Sequence, residues 1–69
     1  MPKLCEFELK VLREAAGQPQ SDLVDGAALW AALGFLRRAR LVDLVTEDLT
    51  LVYRATPAGL ALLAEADHA

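Results

Sequence analysis

Between Arg40 and Thr56 the helical spacing of apolar residues stops and β-favouring residues take over. Leu41 to Thr46 and Leu49 to Ala55 are rich in Leu, Val, Thr and Tyr, with the acidic pair Glu47-Asp48 between them. Such a run predicts two strands joined by a turn. The pair lacks the Asn-Gly or Asp-Gly signal of a two-residue turn, so the expected tip is longer than two residues. The segments on either side have helical period, so the hairpin is expected as an insertion in a helical domain.

Upstream, Leu4, Phe7, Val11 and Ala15 recur at helical spacing, flanked by Cys5, Leu9, Leu12 and Ala16. They predict an amphipathic helix over 4–16. Glu8 falls inside its apolar arc and is expected at a frayed, solvated end in preference to a cation pair. Gly17, with a proline two residues on, should end the helix. Ser21 to Gly26 can form one short helical turn, with Ser21, Asp22 and Asp25 as ordinary caps. Leu23 and Val24 are out of phase with the next stripe, Leu29, Leu33 and Leu36, which favours a break at Asp25-Gly26. The following helix should run from Ala27 to Arg40. Thr56 as N-cap and Pro57 in the first turn start the last one, which carries Leu60, Leu62 and Leu63. Leu60 and Leu63 form its inward stripe and Leu62 lies on the flank, where core burial and a dimer contact both remain open. Asp67-His68-Ala69 should fray.

The second half of the chain resembles the winged-helix domains of small bacterial MarR-like and PadR-like transcription regulators. Two stretches carry the resemblance: Ala32-Leu33-Gly34-Phe35-Leu36-Arg37-Arg38-Ala39-Arg40-Leu41-Val42 and Tyr53-Arg54-Ala55-Thr56-Pro57-Ala58-Gly59. In those families the recognition helix ends in Leu-x-x-Leu with a short basic link, and the wing closes in Tyr-x-Leu-Thr-x-x-Gly. The closing pattern has a physical basis: Thr56 caps, Pro57 sets the entry angle, and Gly59 permits close approach. Ala39-Arg40 stands where these families usually have a glycine, and Ala55 replaces a leucine. The resemblance implies a mostly α fold with a two-stranded β wing, a winged helix-turn-helix in the order helix, short helix, helix, β-hairpin, helix.

Sixty-nine residues, 55% apolar and 25% charged, suit a single domain spanning 1–69. A chain of this size buries only about 60% of the surface its unfolded form exposes, so a homodimer is expected to add stability. No run of eighteen apolar residues is present, which argues against a membrane span. A cytoplasmic location is the expectation. The single cysteine, Cys5, is expected to act as a small hydrophobe on the first helix.

The net charge of −3 gives no overall attraction to nucleic acid, so local charge matters. Arg37, Arg38 and Arg40 place three cations near the end of the helix that the resemblance makes the recognition helix, and Arg54 lies on the wing. These cations could hold the phosphates of double-stranded DNA, with Trp30, Ala27 and Ala31 near the groove. Yet of the outward positions Ala27, Ala31, Gly34 and Arg38 only the arginine can hydrogen-bond a base edge, which is poor chemistry for base readout. Cations at a helix C-terminus also suit the helix dipole with no ligand at all. The competing reading is a protein-interaction winged helix, an adaptor or macromolecular inhibitor. It would use Trp30, Ala31, Gly34 and Phe35 together with Glu47 and Asp48 on the wing, since an aromatic anchor beside small residues and arginines suits protein interfaces. The residue chemistry leans towards protein, but the resemblance favours DNA, and a dimeric winged-helix DNA-binding module of the transcription-regulator type is the leading expectation. No nucleophile–base pair, metal set, cofactor motif or small-molecule site is readable: His68 is alone and Ser21 has no base partner. The expectation is a non-catalytic protein.

Overall fold

In the computed structural model, residues 4–20, 23 and 26–67 are described. Helix α1 spans Glu6–Ala15 and α2 spans Ala27–Arg38; strands β1, Val42–Glu47, and β2, Thr50–Ala55, form an antiparallel pair; α3 spans Pro57–Asp67. The result is a small mixed α/β domain of three helices and one hairpin, consistent with the layout of helices and wing expected from the sequence. The short helical turn expected over 21–26 lies largely outside the described residues, as does His68.

Each helix boundary has a local cause. The backbone N–H of Cys5 donates to Glu8 Oε1 at 3.0 Å, so Glu8 serves the start of α1 rather than fraying. Cys5 itself is exposed at the N-cap, not buried as a small hydrophobe. At the other end Gly17 takes φ 92°, and the N–H groups of Gly17 and Gln18 donate to the carbonyls of Glu14 and Arg13. This is a Schellman closure on the glycine that the sequence pointed to.

Helix α2 stops two residues earlier than expected, and by the same device. Arg40 takes φ 62°, while the N–H groups of Arg40 and Leu41 donate to the carbonyls of Arg37 and Leu36. An arginine thus occupies the left-handed position that glycine fills at the end of α1.

The hairpin turn is shorter than expected. Glu47 pairs with Thr50, leaving only Asp48 and Leu49 in the loop, at φ 49° and 65°. Two left-handed residues in a two-residue loop are what a type I′ turn requires, and here they are supplied without Asn or Gly. The cross-strand pairing, not the turn chemistry, fixes the register.

The core is built from one face of each element. Val11, Leu12 and Ala15 of α1 meet Ala32, Leu33 and Leu36 of α2, the start of the hairpin at Leu41 and Val42, and Leu62 and Leu63 of α3. Leu29 packs partly against this cluster, as its stripe predicts. In α3 the inward positions are Gly59, Leu62 and Leu63, while Leu60 is half exposed. Core burial is therefore the outcome for Leu62, and Leu60 does not face inward as expected. Gly59 sets this phase: a Cβ there would lie 2.2 Å from the Leu41 carbonyl oxygen, so only glycine lets α3 approach so closely. Asp67, expected to fray, bonds Arg13 Nη2 at 3.1 Å and ties the end of α3 to α1.

Among the described residues, no helix is long and apolar enough to cross a membrane.

Candidate functional site

The junction of α2, the hairpin and α3 is held by one residue. Thr56 donates its backbone N–H to the Leu41 carbonyl at 2.9 Å and its hydroxyl to the Arg40 carbonyl at 2.7 Å. Its Oγ1 also accepts the Gly59 N–H at 3.1 Å, as an N-cap should. The left-handed turn at Arg40 is thereby fixed to the start of α3, and the hairpin projects from that anchor.

The register sorts the hairpin into two faces. On one, the pairs Val42–Ala55, Leu44–Tyr53 and Thr46–Leu51 follow each other outward. It begins in the core at Val42 and emerges into solvent at Leu51, which is 64% exposed. Trp30, on the flank of α2, stands against this emerging face. Its ring meets Tyr53 edge-on, with centroids 6.4 Å apart and planes at 62°. Trp30 remains 56% exposed, so the contact orients the ring without covering it. Beyond Leu51 the tip carries Leu49, which is fully exposed. An apolar ridge thus runs from α2 over the hairpin to its tip.

The other hairpin face is polar at its two ends. Arg54 reaches past the Val45–Val52 pair and grips Glu47, Nε to Oε2 and Nη2 to Oε1, each at 2.6 Å. This two-point hydrogen bond, opposed by desolvation and reinforced by the adjacent charge, holds the Glu47 carboxyl below its ordinary pKa. The same contact raises that of Arg54. The one basic residue of the hairpin is therefore already engaged by an acid on the same face.

The remaining sequence candidates separate along α2. Ala27 and Ala31 are exposed and Gly34 is partly covered. Arg38 lies back along the helix, with Nη1 3.7 Å from where a Gly34 Cβ would stand. Phe35 packs partly against the core, on a flank away from Trp30 on the helical wheel. Arg37, Arg38 and Arg40 are exposed, and among the described residues none of them is paired with an acid. Arg37 and Arg40 border an open groove of about 380 Å³ at the hairpin base, completed by Val42, Asp43 and Thr56. Glu47 ends β1 and Asp48 begins the turn.

The residues that sequence reading missed are Tyr53, Leu51 and Leu49. Their alternation at 49, 51 and 53 was visible, but without the two-residue turn it could not be assigned to the face that meets Trp30.

The arrangement defines a structural class: a small mixed α/β domain presenting a helix flank and a hairpin as one surface. Comparison with family models, with curated proteins and with solved structures finds no match.

Proposed function

We propose that this chain is a winged-helix-type domain that acts by binding another protein through the ridge formed by α2 and its wing, with no chemistry of its own. The observation that carries this reading is the contact of half-exposed Trp30 with partly buried Tyr53, which joins helix and hairpin into one apolar surface. A half-exposed indole is the kind of large rigid anchor that protein interfaces favour, and its neighbours Ala27, Ala31 and Gly34 leave it accessible while offering nothing to a base edge. The engagement of Arg54 by Glu47 removes a wing cation from phosphate binding. In a capture assay with the purified chain as bait, Trp30→Ala should abolish partner retention while leaving the circular dichroism spectrum unchanged. Undiminished retention would remove this reading.

A second reading, a DNA-binding module of the transcription-regulator type, is favoured by Arg37, Arg38 and Arg40, unpaired among the described residues. Three phosphate contacts would give a salt slope of about 0.9 per contact in log K, hence weak binding by one copy. A mobility shift with arbitrary duplex DNA at low salt, lost on changing Arg37 and Arg38 to Ala, supports that reading. The absence of any shift at micromolar protein leaves only the protein-binding one.

A further inference from the structure

We infer that the occupant of the ridge is a second copy of this chain, docked antiparallel about a two-fold axis beside Trp30 and Tyr53; this rests on the protein-binding reading above.

Leu49 is the first reason. It holds φ 65° at the hairpin tip, a backbone conformation that glycine adopts freely and leucine resists, and its side chain is fully exposed. In the free chain this residue costs backbone strain and covers nothing. Its side chain becomes stabilising only when another surface takes it out of water.

The apolar ridge is also flanked by opposite charges at its two ends, in a way that complements itself. At the base stand Arg37, Arg38 and Arg40. The tip offers Asp48, in the turn, as its acid; Glu47 lies on the opposite hairpin face in the grip of Arg54, and Asp43 stands at the base beside Arg37 and Arg40. The apolar Trp30, Tyr53 and Leu51 lie between. A two-fold axis through the middle of such a ridge superposes the acidic tip of each copy on the basic base of the other.

The base has room for what the tip brings. The groove bordered by Arg37, Arg40, Val42, Asp43 and Thr56 has a volume of about 380 Å³; its two arginines outnumber its one acid, and Val42 gives it an apolar side. Leu49 fits it as a knob, with Asp48 facing the two arginines. The register sets the scale: each strand has six residues, so tip and base are about 20 Å apart and Tyr53 stands between them. An axis at that height carries Leu49 of one copy onto the groove of the other, and the symmetric contact forms at the same time. A standard interface of about 800 Å² per partner would cover roughly one sixth of the chain's 4738 Å² surface.

The test is sedimentation equilibrium and light scattering of the full chain from micromolar to millimolar concentration. Wild type should dimerise. Leu49→Gly, which relieves the turn and therefore folds more stably, should raise the dimer dissociation constant at least about tenfold. Asp48→Arg and Arg37→Glu should each be monomeric alone, and an equimolar mixture should dimerise again, because both tip-to-base contacts are then oppositely charged. A wild type that stays monomeric overturns the proposal, as does a dimer indifferent to Leu49→Gly or a mixture that fails to recover. If wild type is monomeric while Trp30→Ala still abolishes capture of a different protein, self-association falls and the broader reading stands. If wild type dimerises with the mixture restored, the ridge and its occupant are established together.

Discussion

Arg40 and Leu49 both sit on backbone that suits glycine, and each is there for a different reason. Arg40 closes α2 by accepting φ 62°, and its carbonyl takes the Thr56 hydroxyl. Neither of those tasks uses its side chain. Arg40→Gly should therefore stabilise the domain by about 0.5–1 kcal/mol, read as a higher urea midpoint at unchanged slope. Gly59 is the opposite case. A Cβ there would meet the Leu41 carbonyl oxygen at 2.2 Å and Leu12 Cδ1 at 3.1 Å, and the first of these is backbone that cannot swing aside. Gly59→Ala should cost about 1–3 kcal/mol or more in the same experiment. Of these positions, Gly59 and Thr56 were legible in the sequence, because the motif names both the residue and its task. The left-handed state of residue 40 was half legible: the resemblance puts a glycine near it, and the chain keeps the conformation without the residue.

Between residues and the whole stand the elements, whose types were readable because helical stripes and a β-rich run are strong signals. Their phases and ends were less so. In α3 the leucines at 60, 62 and 63 fit more than one inward face, and the close approach at Gly59 decides in favour of 62 and 63. At the hairpin, Asp48-Leu49 carries no turn signal, yet the strands on either side impose a two-residue loop by their pairing. The Glu47–Arg54 contact belongs to this scale, since it spans the hairpin from end to end. Because the folded-state pKa of Glu47 is depressed, the stability it contributes is present above the ordinary glutamate value and is lost as pH falls through the lowered one. An acid titration followed by circular dichroism should show the difference between wild type and Glu47→Gln shrinking over that window. Both partners are about half exposed, so the difference should be small and should narrow further in molar salt.

For the molecule as a whole, the limiting quantity is the size of its core. Leu12 and Leu36 are wholly buried, and truncating either to Ala should cost about 2–5 kcal/mol. Against about 0.05–0.15 kcal/mol of stability per residue, that is a large share, so Leu12→Ala should melt well below wild type by circular dichroism. Self-association would couple stability to concentration: the wild-type melting temperature should rise with protein concentration, and that of Leu49→Gly should begin to rise only at about tenfold higher concentration. The candidate surface was only partly legible at this scale. Trp30 could be placed on the flank of its helix from the wheel alone, but its neighbours come from a strand more than twenty residues away. Which strand face it meets depends on the register, and the register on a turn that the residues at 48 and 49 do not announce.

The chain contains one tryptophan and one tyrosine, and the fold sets them 6.4 Å apart across the boundary between a helix and a hairpin. At that separation light absorbed by the phenol is handed to the indole, so the free-standing tyrosine signal is silent whenever the two elements are together. The molecule carries its own optical gauge: phenol emission reports the hairpin lifting away from α2, and the colour of indole emission reports whether solvent still reaches the ridge.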